Sequence, residues 1–248
     1  MIASTHAIVL NKKNYSDSSL ICDLFSKDFG KITVIAKGAK SIKNPLGALL
    51  QPLNHIECVY YYKASRNIQT LKEASIINKY YNIENNYYKM KYGLVIIDVV
   101  NQINYVEYPS NIIFRLTYKT LESLNGVKKQ YIDVIFIFFL LQFLIYLGYC
   151  PSVKMCIQCN EKLNSARFDY SVGQLMCHKC SDSKLVLDSE SLLIIKFLMK
   201  IHLTKIVENF NFDLKKCIRI NHFLYKFILF HIPDIKKSKA LKGMYAIK

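Results

Sequence analysis

NYSDSSLICDLFSKDFGKITVIAKGAK, residues 14–40, is the stretch that sets the fold class. It holds two short runs rich in β-branched and aromatic residues, SLICDLFS and KITVIAK, joined by Lys27-Asp28-Phe29-Gly30. Short runs of this kind, several with alternation, are strand signals. A brief link ending in glycine supplies the positive φ that a hairpin turn needs. Outward from this pair, HAIVLN comes before it, and IECVYYYK and NIQTLKEA come after. Between the third and fourth runs lies GAKSIKNPLGALLQPL, long enough for a short helix or an ordered crossover. Five short strands with one longer connection predict a five-stranded oligonucleotide-binding (OB) β-barrel over residues 1–80.

After about residue 82 the period changes from two to between three and four. In YYKMKYGLVIIDVVNQI the positions Tyr88, Tyr92, Val95, Ile96, Val99, Val100 and Ile103 follow helical steps. Pro109 suits the first turn of the next helix, and Gly126, after LESLN, suits its C-cap. VIFIFFLLQFLIYLGY, residues 134–149, is apolar on every face. It is shorter than the roughly 20 residues a bilayer requires. Gln142 sits at its centre, so a fully buried helix is expected rather than a membrane anchor. SESLLIIKFLMKIHL and LKKCIRINHFLYKFILFHI predict two further helices, and DIKKSKALKGMYAIK a loosely attached basic tail. The expected class is α+β: the barrel at 1–80, a helical domain beginning at 81–150 and resuming at 184–248, and a cysteine module at 151–183.

That module, CIQCNEKLNSARFDYSVGQLMCHKC, places two Cys-x-x-Cys pairs 17 residues apart. The N-terminal sequence has no secretory pattern of charged, apolar and small-residue regions. Cys22, Cys58, Cys150 and Cys217 are scattered singly, as small buried hydrophobes are. A cytoplasmic location with reduced thiols is therefore expected, and there such spacing points to zinc. Cys156, Cys159, Cys177 and Cys180 would form a closed tetrahedron of sulfurs, which leaves no position for an activated water. One structural Zn2+ is expected, with His178 a turn residue rather than a ligand.

The balance of 34 Lys+Arg against 18 Asp+Glu gives +16, the signature of a polyanion partner. In the barrel the cations gather where loops are expected. Lys12, Lys13 and Tyr15 fall in the first loop, Lys37, Lys40 and Lys43 in the third, and Lys63 and Arg66 between the last two strands. Cations meet phosphates, and flat rings such as Tyr60, Tyr61 and Tyr62 meet unpaired bases, although alternation turns some of these inward. No phosphate-binding Gly-x-x-x-x-Gly-Lys-Ser/Thr loop, Gly-x-Ser-x-Gly elbow or His-Glu-x-x-His motif is present, and Asp23, Asp98 and Asp133 are isolated. The reading is a nucleic-acid-binding protein rather than an enzyme. A zinc-ribbon transcription or RNA-binding factor is the alternative.

The chain also resembles the bacterial DNA-repair RecO family of recombination mediators. Residues 14–40 are similar to that family's opening pattern, LQPLNHIECVYYY to its approach to the fourth strand, and LIYLGYCPSVKMCIQCN with FDYSVGQLMCHKC to its entry into the zinc knuckles. The resemblance implies binding of single- and double-stranded DNA, annealing of complementary strands, and help in loading the recombinase onto strands covered by single-strand-binding protein. It implies RecR, the acidic tail of single-strand-binding protein and, in many bacteria, RecF as partners. Carried over by position, it assigns the basic residues after strand three to Lys37 and Lys40, and the ligands to the four cysteines.

Overall fold

The computed structural model describes residues 1–103, 111–206 and 213–246. It forms two compact units: residues 1–125 with 238–244, and residues 126–237 with the chain's end. Pro109 lies outside the described residues.

In the first unit, β1 (Ile2–Asn14), β2 (Leu20–Ser26), β3 (Gly30–Ala36), β4 (His55–Tyr61) and β5 (Ile68–Asn78) close in the order β1-β2-β3-β5-β4. All neighbours are antiparallel except β3 and β5, which close the barrel in parallel. Gly30 ends the β2–β3 turn with φ 66°. The crossover between β3 and β4 contains one short helix, α1 (Leu46–Leu49). A Cβ on Gly47 would overlap the Ala39 carbonyl, so the crossover packs too closely for any other residue. Inside the barrel, Ala7, Val9, Cys22, Leu24, Val34, Ile56, Cys58 and Tyr60 make a buried core. Tyr60 points inward and Tyr61 outward, as alternation demands, while Tyr62, just past the end of β4, is exposed.

The same unit continues with α2 (Tyr81–Glu84), α3 (Tyr87–Gln102) and α4 (Asn111–Gly126). Asn86 caps α3, and its side chain accepts from the Lys89 N–H. Val95, Ile96, Val99, Val100 and Ile103 are buried as their spacing predicts, but Tyr88 is half exposed. Gly126 is the last helical residue of α4 rather than a left-handed cap beyond it. The basic C-terminal segment is not a loose tail. Asp98 on α3 accepts hydrogen bonds from the Ser238 hydroxyl at 2.7 Å and the Ala240 N–H at 3.0 Å. These tie the start of α8 (Lys239–Ala246) to the unit and bury Leu241 completely.

In the second unit α5 (Ile132–Tyr146) is the central element, with eleven of its 15 residues buried. By length and composition Lys129–Tyr146 could cross a membrane; here 61% of it is buried inside the structure. Gln142 donates to the Leu198 and Met199 carbonyls at 3.1 and 3.3 Å, at the end of α6 (Ser189–Leu198). Those carbonyls belong to a helix terminus, where no intrahelical donor reaches them. The long helix α7 (Leu214–His231) packs against α5 and α6, and Asn221 donates to Asp133. Of the cysteines expected to be buried, Cys22, Cys58 and Cys217 are, whereas Cys150 is exposed.

Candidate nucleic-acid interface and metal centre

The first loop and the β3–α1 connection meet at one end of the barrel. The Lys40 N–H donates to the Ser18 carbonyl at 3.0 Å, and its ammonium to the Ser16 carbonyl at 3.1 Å. Turn bonds from Ser41 to Gly38 and from Asn44 to Ser41 hold the rest of the connection compact. Tyr15, Lys37, Lys40 and Lys43 are thereby gathered as exposed side chains, and Lys13 reaches the same end from β1. Asp17 is the acid within this group.

Lys12 and Lys13 stand on β1, not in the loop. A register shift between Val9 and Asn11 pairs Lys12 with the inward-facing Cys22 and Lys13 with Ile21. Lys12 therefore turns towards the barrel mouth, where its ammonium donates to the Gln51 amide oxygen at 2.5 Å. Lys63 and Arg66 are exposed on a separate loop between β4 and β5. Gln69 folds that loop by accepting from the Lys63 N–H and donating to the Lys63 and Arg66 carbonyls. On the outer face of β2–β3, Asp23 accepts from the Thr33 hydroxyl at 2.9 Å, so this isolated acid has a structural partner.

The four cysteine sulfurs of Cys156, Cys159, Cys177 and Cys180 lie within 4.8 Å of one another, an arrangement that can hold a metal ion. Cys159 and Cys177 sulfurs are 3.6 Å apart. Four thiolates at about 2.3 Å from one tetrahedral ion would stand about 3.8 Å apart, so the donor set fits. Each knuckle is a turn. Asn160 N–H donates to the Cys156 carbonyl with Asn160 at φ 57°, and the Cys180 N–H donates to the Cys177 carbonyl. Burial disfavours a thiolate at Cys156, yet backbone N–H groups of Cys159, Cys177 and Gln158 bring it down to about 6. Hydrogen bonds with the Cys177 and Cys159 sulfurs, then burial, push Cys180 up to about 12. A divalent cation placed among the four sulfurs would supply the charge that lets them ionise together. His178 is exposed and outside the cluster.

Between the knuckles, β6 (Ala166–Asp169) and β7 (Gln174–Met176) form a hairpin, with β8 (Val186–Leu187) on the other side of β6. Asp169 accepts from Ser171 in the turn and from the Ser181 hydroxyl after the second knuckle, and these bonds hold its carboxyl below the usual range. Sequence reasoning missed how the module is anchored. Phe168 is fully buried against Phe223 and Phe227 of α7, and the His231 ring meets the Gly173 carbonyl at 2.7 Å. Gly173 has φ 70°, and a side chain there would collide with the Phe230 ring.

A closed barrel of this strand order, followed by helices that carry a four-cysteine metal-type cluster, defines an α+β protein of OB-barrel and cysteine-knuckle type. The chain belongs to the RecO family. The family described as "Recombination protein O N terminal" matches residues 1–80, and "Recombination protein O C terminal" matches residues 84–240. The chain is similar to the DNA repair protein RecO of Chlorobium limicola, 32% identical over 166 residues, which is 67% of this chain and 63% of that protein. It is 33% identical to the protein of the same name from Salinibacter ruber over 152 residues, 61% of this chain and 58% of that protein. With the Exiguobacterium sp. protein identity is 27% over 202 residues, covering 82% and 80% of the two chains. The matches thus span about three fifths of the length of the first two relatives.

Proposed function

We propose that this protein is a DNA repair and recombination mediator. It binds single- and double-stranded DNA, anneals complementary strands and helps load the recombinase onto strands covered by single-strand-binding protein. The observation that carries this reading is the barrel end where backbone bonds gather Tyr15, Lys37, Lys40 and Lys43, in a chain of the RecO family. Annealing involves no bond chemistry, so no catalytic residue is assigned. It requires two polyanions to be brought together with their repulsion screened, and a lysine-fringed loop cluster supplies that screening while leaving base edges free. Zn2+ on Cys156, Cys159, Cys177 and Cys180 fits the thiolate set and serves the fold of the knuckles. RecR, the acidic tail of single-strand-binding protein and RecF are the proposed partners, and the cytoplasm the proposed location.

The test is annealing of complementary oligonucleotides, bare and coated with single-strand-binding protein. The wild type is compared with a Lys37→Glu/Lys40→Glu variant. If about six cations meet phosphates, single-strand affinity falls roughly 300-fold between 50 and 200 mM salt. The variant should lose about 1.4 from that logarithmic slope. Unchanged affinity at low salt would refute the loop assignment, and a wild type that binds structured RNA or promoter duplex without annealing would favour the zinc-ribbon alternative.

A further inference from the structure

A second basic feature of the first unit lies away from these loops. A cleft of about 500 Å³ opens between the barrel and α4, lined by His6, Lys27, His55, Arg115, Lys119 and Glu122 among others. Lys119 is tied to Glu122 at 2.8 Å, so the acid in the lining is already neutralised. Lys27 and Arg115 are exposed, and neither is held in an ion pair with a described residue. They stand on different walls, the β2–β3 turn and α4, and His6 adds an exposed imidazole. The His55 ring packs between Tyr118, Phe114 and His6. Its Nε2 is buried without a hydrogen-bond partner, a polar group left over on the cleft wall. Such a group costs free energy unless something satisfies it.

The place of this cleft matters as much as its charge. Leu20 of β2 pairs with Asn14 beside the lysine loops, while Ser26 pairs with Gly30 beside Lys27. Loops and cleft therefore lie at opposite ends of β2, about 20 Å apart along the strand. An extended polyanion meets cations on both walls of a cleft; a single small anion would need them to converge on one point. Arginine adds a planar fork that matches phosphate oxygens. Two separated basic sites on one chain would bring the two strands of an annealing pair together.

We propose that the cleft is a second phosphodiester site, which holds the complementary strand while the lysine loops hold the first. The proposal rests on the DNA-binding reading above. The experiment therefore separates the two sites. Folded wild type, Lys27→Glu/Arg115→Glu and Lys37→Glu/Lys40→Glu proteins are titrated with an oligothymidine of about four nucleotides, at the low end of the site sizes of such barrels and too short to reach from one site into the other. Bound strands per chain are counted by native mass spectrometry at low salt. Circular dichroism checks the fold, which these exposed positions should leave intact.

The wild type should take two oligonucleotides. The cleft variant should take one, with its first binding constant within twofold of wild type and its annealing rate down at least tenfold. Arg115→Lys with Lys27 retained should restore the second stoichiometric site. A wild type that saturates at one strand, or a cleft variant that still takes two, overturns the proposal. So does an acidic peptide that binds the cleft without displacing either strand. Failure of the loop variant to weaken the first site would sink the loop reading alone, because the cleft is judged by the second strand.

Discussion

Replacing Phe168 by alanine tests how the metal module is held to the helices. The ring is fully buried, edge-on to Phe223 at 5.5 Å and to Tyr170 at 5.2 Å, and 6.3 Å from Phe227. Removing a phenylalanine from such a place costs about 3–5 kcal/mol, as lost transfer free energy plus the cavity left behind. In a unit of roughly a hundred residues this lowers Tm by roughly 10–25 °C. The cysteines lie outside the cavity, so one metal ion per chain should remain. Thermal melting by circular dichroism gives the first quantity, metal analysis the second, and hydrogen exchange should show the β6–β7 hairpin losing protection. A loss below about 1 kcal/mol with hairpin protection intact would refute the anchoring role. Release of the metal would show that anchor and clamp are one device rather than two.

Metal removal is the complementary perturbation. Chelation, or Cys156→Ser, should lower the melting temperature of the wild type, since metal binding to such sites contributes roughly 10 kcal/mol or more of apparent folding free energy; equal melts with and without chelator would oppose a structural ion. Burial, and then the neighbouring His6, lower His55 from its ordinary 6.5 to about 4. The unfolded chain binds the additional proton between those values, so stability should fall by about 3 kcal/mol as pH drops through that window. His55→Phe, which keeps the ring packing, should flatten the fall, measured as urea midpoints at pH 7 and 4.5. Gly47→Ala should cost about 1–3 kcal/mol by pushing the crossover off Ala39, and a neutral result in denaturant titration would contradict the close packing described.

Much of the barrel was legible in the sequence because the runs are rich in β-branched and aromatic residues, several alternate, and Gly30 marks the turn. The knuckles were legible because cysteine spacing fixes what the turns can aim at one point. What escaped depended on register and on distant partners. Lys12 reads as a loop residue, but the irregularity after Val9 shifts the pleat by one position and turns it inward beside Cys22. Ser238 lies 140 positions from Asp98, and no local pattern announces that bond. Tyr88 keeps helical spacing yet stays exposed, since periodicity gives a face and not the extent of its cover. The cleft beside α4 combines five separate elements, none of which is unusual alone.

Gln142 and Asp133 give α5 something its hydrocarbon surface lacks. A rod equally greasy all round has no favoured rotation about its own axis, and burial alone would let it settle at many angles. Nine positions separate the two side chains, about two and a half turns, so they emerge on opposite sides. One is bonded to the end of α6 and the other to α7. Two weak polar detents thus select a single angular setting, and a leucine in place of Gln142 would keep the helix buried while freeing it to spin.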